Sequence, residues 1–404
     1  MGKVRKKNHI RRNLILRALL DHGRLSLTEL KTHTGITLPV VTSIVNRLKE
    51  ENLLIDVAGR GTGQAGRPPT TVALNGAAGY ILGVDLGRVN SHFVLLDLAQ
   101  NRVAHAQMKS LPLSNEVSLV DDLHREIDRI LENAHVDWER VLGVGIAVPG
   151  LVRGQEGISE TYLNFGHRPV AQALSERFGR PVHVEHDAKA MALGELWFGS
   201  AKGCQNVLCL NVGWGLGLGM ILGGKIYYGA KGYAGEFGHM QAVPDGQLCY
   251  CGQRGCLEMY ASGKAIARMA RERIAQGATP PWWRGGDGGS DPIDAKRIIE
   301  AGGAGDPFSV EIIQEAARHL GQGMAQLINV LHPELVILGG RISSVDLFVQ
   351  TAVSAAKAQA MAHLTQDLRF EVSSLGAQSG ALGVAVLATR DLFEVDHLNP
   401  SAYV

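Results

Sequence analysis

Apolar residues in the first fifty positions fall on helical faces. Leu14, Ile15, Ala18 and Leu19 share one side of a helix over Arg12–His22, and Gly23 ends it. Ser26 followed by Glu29 forms a capping box that opens a second helix, Leu27 to His33. Thr34-Gly35-Ile36 reads as a turn. Thr37 caps a third helix from about Leu38 to Asn52, with Pro39 in its first turn and Val41, Ile44, Val45 and Leu48 facing inward. Leu53–Val57 and Thr70–Leu74 then read as two strands joined by the tip GRGTGQAGRPP. Three helices around a tight turn, followed by a wing, predict a winged helix-turn-helix.

From Gly79 the pattern changes to short apolar strands. YILGVDLGRVNSHFVLLDL predicts two strands with Asp85 and Gly87 at the turn, and VLGVGIAVPGLV predicts a strand ending at Pro149-Gly150. VHVEHDAKAMALGELWFG reads as a strand, a short turn and a helix. NVLCLNVGWGLGLGMILGGKI repeats the strand-turn-strand design, and LVILGGRIS again ends a strand on two glycines. The repetition predicts a duplicated α/β architecture. Prolines, tryptophans and glycines at about 277–292 predict a surface loop carrying Trp282 and Trp283. The organisation expected is a head at 1–78, a first lobe at 79–198 and a second lobe at 199–404.

A chain of 404 residues is long enough for two or three domains with real cores. No run of eighteen apolar residues occurs, so membrane insertion is not expected. The basic start MGKVRKKNHIRRN lacks the apolar stretch of a signal peptide. Cysteines clustered like metal ligands suit a reducing, cytoplasmic setting. The net charge of +1 hides an asymmetry: residues 1–70 hold 13 Lys and Arg against 5 Asp and Glu, and the remainder holds 27 against 34. A basic head on an acidic body points to a polyanion partner for the head, operator DNA in the setting of a helix-turn-helix. The third helix would enter the major groove. Ser43, Asn46 and Arg47 are its candidate base-reading residues, Thr42 shares their DNA-facing side, and Lys49 is expected at phosphate. Arg60 and Arg67 at the wing tip could reach a minor groove. Such heads work in pairs, so a homodimer or higher oligomer is expected.

The densest chemistry lies in GEFGHMQAVPDGQLCYCGQRGCLEMYAS. Three of the five cysteines fall within eight positions, and a histidine lies ten residues before the first of them. His239, Cys249, Cys251 and Cys256 can supply the four soft-to-borderline ligands of a closed tetrahedral zinc site, with Gly252 and Gly255 letting the backbone wrap an ion. Buried or redox-active cysteines are the plainer alternative, and the clustering favours ligands. Cys204 and Cys209 are not expected to coordinate.

GEFGHM followed by CYCGQRGCLE resembles the signature of the ROK family, which holds repressors and sugar kinases. The resemblance runs over nearly the whole chain. It implies an actin-like, two-lobed sugar-kinase fold (α/β), a structural zinc and a sugar site. His186 and Asp187 in EHDAKA resemble the family's Asn-Asp-Ala motif, whose aspartate is the catalytic base of the kinases. Glu236, His239 and Glu258 match its sugar ligands, and the zinc would fix the tautomer of His239. Asn164 is a weak match to a further sugar contact.

The kinase loops are altered. Where ROK kinases read Asp-x-Gly-Gly-Thr, this chain has Asp85-Leu86-Gly87-Arg88-Val89-Asn90. Where the second loop of the kinases reads like Gly-Thr-Gly-x-Gly-Gly-Gly, this chain has Gly213-Trp214-Gly215-Leu216-Gly217-Leu218-Gly219, with Trp214 in place of the small hydroxyl residue. Arg88 and Trp214 fill space that ATP phosphates need, so ATP is not an expected cofactor. His186, too, resembles the repressors of the NagC and Mlc type, and kinases usually lack the head. The expectation is a repressor responding to a sugar or sugar phosphate. The rival is an ATP-dependent hexose or N-acetylhexosamine kinase carrying an added DNA-binding head. A regulator controlled by a protein partner is a third reading.

Overall fold

A computed structural model of the chain describes residues 3–58, 71–111, 113–116, 118–165, 168–283 and 293–393. The head comprises α1 (Lys3–His22), β1 (Arg24–Ser26), α2 (Leu27–Thr34), α3 (Leu38–Glu50), β2 (Leu54–Val57) and β3 (Thr71–Leu74). α1 starts nine residues before the expected helix, because the basic N-terminal run continues the helical backbone. The capping box forms as expected: Ser26 Oγ accepts from the Glu29 N–H at 3.2 Å, and Glu29 Oε2 accepts from the Ser26 N–H at 2.7 Å. Gly35 stops α2 in the left-handed region at φ 69°, where its N–H reaches Lys31 O. Thr37 occupies the N-cap position of α3 but makes no side-chain cap bond, and α3 ends at Glu50. Asn52 sits at φ 60°, left-handed, and turns the chain toward the wing.

Val41, Val45 and Leu48 of α3 are buried with Leu30 and Ile36, whereas Ile44 lies half-buried. Each full burial contributes about 1.5–3 kcal/mol. β1 joins the wing to make a three-stranded sheet in the order β1-β3-β2, with Arg24 opposite Ala73 and Leu54 opposite Leu74. Sequence pattern foresees only two of these strands, because three residues are too few to show an alternation. The wing tip, with Arg60 and Arg67, lies outside the described residues.

Next come β4 (Tyr80–Asp85), β5 (Asn90–Asp97), β6 (Arg102–Lys109), α4 (Ser118–Asn133), β7 (Val141–Val148), β8 (Val152–Arg153), β9 (Ile158–Ser159), α5 (Val170–Phe178) and β10 (Val182–His186). They are followed by α6 (Asp187–Phe198), β11 (Val207–Val212), β12 (Leu216–Leu222), β13 (Lys225–Ile226), α7 (Glu258–Ala261), α8 (Gly263–Ala275) and α9 (Ala295–Gly303). The chain closes with α10 (Pro307–Leu331), β14 (Leu335–Gly339), α11 (Asp346–Gln359), β15 (Arg369–Val372) and α12 (Ser379–Leu392). Two compact units result, one drawn from 1–150, 154–185 and 384–404, the other from 151–153 and 186–383.

Each unit carries a five-stranded sheet, ordered β10-β7-β4-β5-β6 in the first and β13-β12-β11-β14-β15 in the second. In both, the first strand pairs antiparallel with the second and parallel with the fourth: β4 with β5 and β7, and β11 with β12 and β14. Strand order and pairing therefore repeat, which is the duplication that the strand-turn-strand pattern predicts. Their inner strands β4, β7, β11 and β14 read as near-continuous apolar runs because both faces are covered; Leu335 to Leu338 are wholly buried. In the second unit the core is built by β11, β12 and β14 against α8, α10 and α11.

The second unit depends on a close helix–strand approach. A Cβ on Gly219 would lie 2.3 Å from Ala188 O and 2.6 Å from Ala192 Cβ, and one on Gly217 would lie 2.8 Å from Ala188 Cβ. β12 thus meets α6 almost backbone to backbone. Gly219→Ala should destabilise this unit by about 1–3 kcal/mol through overpacking. Urea denaturation should show a lower midpoint with an unchanged slope.

Candidate functional site

The loop between β13 and α7 gathers His239, Cys249, Cys251 and Cys256, whose donor atoms all lie within 4.8 Å of one another. Local chain geometry explains the convergence. Gly252 and Gly255 take φ of 90° and 76°, and a Cβ on Gly255 would fall 1.7 Å from Val243 O. The Cys249 N–H bonds Gln253 O at 2.8 Å, and the Gly252 N–H bonds Cys249 O at 3.0 Å. The Tyr260 hydroxyl accepts from the Gln247 N–H at 2.8 Å. Upstream, the turn Phe237–His239 is pinned by buried Phe237 and by Gly238, whose Cβ would meet Leu216 O at 2.5 Å.

His239 Nδ1 stands 3.6 Å from Cys249 Sγ, and Cys251 Sγ stands 3.6 Å from Cys256 Sγ. A tetrahedral ion with sulfur ligands at about 2.3 Å and an imidazole nitrogen at about 2.0 Å needs edges of roughly 3.5–3.8 Å. The four residues therefore fit a closed metal centre. Burial pushes the Cys249 thiol up, and burial together with hydrogen bonding to Cys251 and Cys249 pushes Cys256 up to about 12. A divalent cation replaces those protons and relieves the crowding of three sulfurs. Cys204 and Cys209 pack apart from this group, in a separate apolar cluster.

The expected sugar residues lie in the same unit. His186 ends β10 and is buried; its Nε2 stands 3.1 Å from Asp187 Oδ1. Burial pushes its imidazole below the usual range, with the Asp187 charge opposing. Asp187 begins α6, where the helix dipole favours a carboxylate. Its Oδ1 accepts the Ala188 N–H at 2.7 Å and its Oδ2 accepts from Asn211 Nδ2 at 3.4 Å. Glu236 precedes the 237–239 turn, and its Oε2 lies 3.9 Å from His239 Nε2. Glu258 is buried at the start of α7, and its Oε2 accepts the Leu216 N–H at 3.1 Å. One of its oxygens thereby holds the end of the second glycine loop. Asn164 lies in the first unit, where its N–H donates to Asn115 Oδ1 at 2.9 Å and its side-chain amide to Glu160 O at 3.2 Å.

Sequence reasoning missed two participants. Asn211, a polar residue in an apolar strand, orients Asp187. Tyr250, between two cysteines, places its hydroxyl 3.1 Å from His239 Nε2.

Of the loop Gly213–Gly219, only Gly213 has open space around its missing Cβ. A Cβ on Gly215 would press on Glu258 Oε2 at 2.7 Å, and Gly217 and Gly219 face α6. Trp214 is 44% exposed. Carbonyls of Gly213 and Trp214 accept the N–H groups of Gly263 and Lys264, and Ser262 Oγ accepts that of Ala265. The α8 terminus thus spends its first three donors inside the protein. In the first unit, a Cβ on Gly87 would meet Asn90 O at 2.2 Å, and the Arg88 guanidinium stands over the Tyr162 ring at 5.3 Å.

On α3, Ser43, Asn46 and Arg47 are exposed, and Thr42 and Lys49 are half-buried. The Thr42 hydroxyl donates back to Leu38 O at 2.9 Å. Arg47 pairs with Glu51 at 3.2 Å and Lys49 with Asp56 at 2.5 Å. Exposed pairs of this kind contribute about 0–1 kcal/mol, so a phosphate can displace either carboxylate.

Comparison with known proteins places these features. The profile of the ROK family matches residues 81–391, and that of the winged helix-turn-helix DNA-binding segments matches 10–55. A putative xylose repressor of Caldicellulosiruptor sp. (strain Rt8B.4) is 29% identical over 97% of this chain and 98% of its own. A glucokinase of Streptomyces coelicolor is 36% identical over 77% of this chain and 98% of its own. The crystal structure of a ROK family transcriptional regulator, a homologue of E. coli MLC protein, superposes with a TM-score of 0.79 at 26% identity, covering 96% of each chain. The chain belongs to the ROK family and carries an N-terminal winged helix-turn-helix. Among the described residues no helix is long and apolar enough to cross a membrane.

Metal analysis of the purified protein should find one divalent ion per chain, lost in Cys256→Ser. Loading should release protons and weaken as pH falls, because protons compete for the thiolates. An unchanged metal content in Cys256→Ser would contradict the assigned ligands.

Proposed function

We propose that the protein is a sugar-responsive transcriptional repressor with a structural zinc and a degenerate kinase site. The observation that carries this reading is coverage: the repressor relative spans the head as well as the body, whereas the glucokinase matches 77% of the chain. His239, Cys249, Cys251 and Cys256 would hold the zinc, which supplies charge compensation and a fixed tautomer for His239. Zinc fits the donor set because three sulfurs and one imidazole at tetrahedral spacing suit it better than harder cations.

In this reading residues 1–78 form the DNA-binding domain, and the kinase-like body, expected to split between 198 and 199, divides instead near His186, with the chain from Val384 belonging to the first unit. Thr42, Ser43, Asn46 and Arg47 face base edges, and Lys49 meets phosphate. Two heads of a dimer would read a two-fold operator in the cytoplasm. A sugar or sugar phosphate would be gripped by His186, Asp187, Glu236, His239 and Glu258. His186 in its neutral form offers one donor and one acceptor, and the carboxylates accept sugar hydroxyls. Effector binding would shift the spacing of the heads by its differential affinity for two conformations. Asp187 keeps the chemistry of a base, but Arg88 and Trp214 leave the phosphate loops unsuited to ATP.

Two measurements test the proposal. Arg47→Ala should weaken specific operator binding more than non-specific binding, by about 1–3 kcal/mol, whereas Lys49→Ala should weaken both and flatten the salt dependence. A coupled assay for ADP release across hexoses and N-acetylhexosamines should show no appreciable turnover. Sugar-dependent turnover of order 1–100 s⁻¹, abolished by Asp187→Asn, would establish the kinase reading instead.

A further inference from the structure

We infer that Tyr250 is an internal occupant of the effector site: its hydroxyl holds the position on His239 that a sugar hydroxyl takes, and effector has to displace it. The inference rests on the sugar-responsive reading above and adds a residue that sets effector affinity.

The geometry at the two nitrogens of His239 carries it. Nδ1 faces Cys249 Sγ at 3.6 Å, on the side of the metal donors. A metal on Nδ1 leaves Nε2 with the hydrogen, so Nε2 becomes a donor that needs an acceptor. Glu236 Oε2, at 3.9 Å, is too far for a hydrogen bond, whereas Tyr250 Oη is at 3.1 Å. The tyrosine ring stands edge-on to the imidazole, with centroids 5.2 Å apart and planes at 80°. The Lys264 ammonium lies 5.4 Å from its centroid.

The backbone of Tyr250 cannot move far, because it lies between two metal donors, and Cys249 is tied through its N–H and its carbonyl to Gln253 and Gly252. Tyr250 is 67% exposed, so little apolar burial opposes rotation of the ring into solvent. A sugar hydroxyl bridging His239 Nε2 and Glu236 plays the acceptor role that the phenol oxygen plays, and both cannot occupy one N–H. Removing the competitor should therefore tighten sugar binding by the worth of one exposed hydrogen bond, about two- to tenfold.

The test uses the full-length, zinc-loaded protein and calorimetric titration with D-glucose, D-xylose and N-acetyl-D-glucosamine. Tyr250→Phe should bind whichever sugar the wild type binds about two- to tenfold more tightly, with zinc content unchanged. In the sugar-free state the His239 Nε2 hydrogen should exchange with solvent faster in Tyr250→Phe than in the wild type, followed by NMR. Tyr250→Ala, which also removes the ring, should tighten binding at least as much. Equal or weaker binding by Tyr250→Phe, while the wild type binds, overturns the role of Tyr250 and leaves the repressor reading intact. Failure of the wild type to bind all three sugars and also their phosphate esters, titrated in the same way, overturns the sugar-responsive reading, and this inference with it.

Discussion

Three sulfurs and an imidazole nitrogen held within 4.8 Å of each other are the constraint on which the rest of the site depends. The loop 240–256 has little apolar core of its own. Cys249 and Cys256 cluster with Met259 and Tyr260 of α7, and Met240 and Ala242 pack partly buried against the main core. Its order comes from converging donors, two left-handed glycines and a few backbone bonds. Pulling three sulfurs together makes loss of their protons unfavourable while no cation is bound, as the raised Cys256 shows. A cation turns that crowding into a bond network. With a cation bound, the same network would decide which nitrogen of His239 is spent and which remains open. Through the short turn after Glu236, it also places the neighbouring carboxylate.

Much of the fold was legible because its signals are local. The capping box at Ser26 and Glu29, the left-handed Gly35 and the repeated strand-turn-strand segments each follow from a few adjacent residues. What escaped was non-local. β1 exists because β3 offers it a partner, and nothing within Arg24–Ser26 announces that. The α3 terminus is set by Asn52 turning left-handed, a choice open to several residue types. In the site, the metal donors and Glu258 could be found from spacing and resemblance. The bond from Glu258 to Leu216 could not, because forty-two residues separate them. Asn211 and Tyr250 were missed for the same reason: each acquires its role from a residue brought to it by folding.

The glycines of the second phosphate loop are a case where one sequence feature answers to two demands. In a kinase they suggest backbone donors around phosphate. Here Gly217 and Gly219 are required by the approach of α6 to β12, and Gly215 by Glu258. Removing ATP from the function would leave all three in place, since a side chain at any of them collides with the protein itself. Glycine retention is therefore weak evidence for nucleotide binding, and the loop has to be judged at Trp214 and, in the first unit, at Arg88. Those positions carry bulk where no packing demand asks for glycine.

Asp187 illustrates the same separation of structure from chemistry. It starts α6, accepts the Ala188 N–H, and is steadied by Asn211 and His186. Each of these contacts holds the carboxylate in one orientation. An oriented carboxylate is what a kinase needs to accept a proton from a sugar hydroxyl. It is equally what a sensor needs to accept a hydrogen bond from that hydroxyl. The difference between the two functions lies in whether an electrophilic phosphate can be brought in line with the hydroxyl. Because the aspartate geometry serves both roles, its presence cannot discriminate between them. The residues that can are those that would meet the phosphates, and in this chain they are an arginine over Tyr162 and an exposed tryptophan.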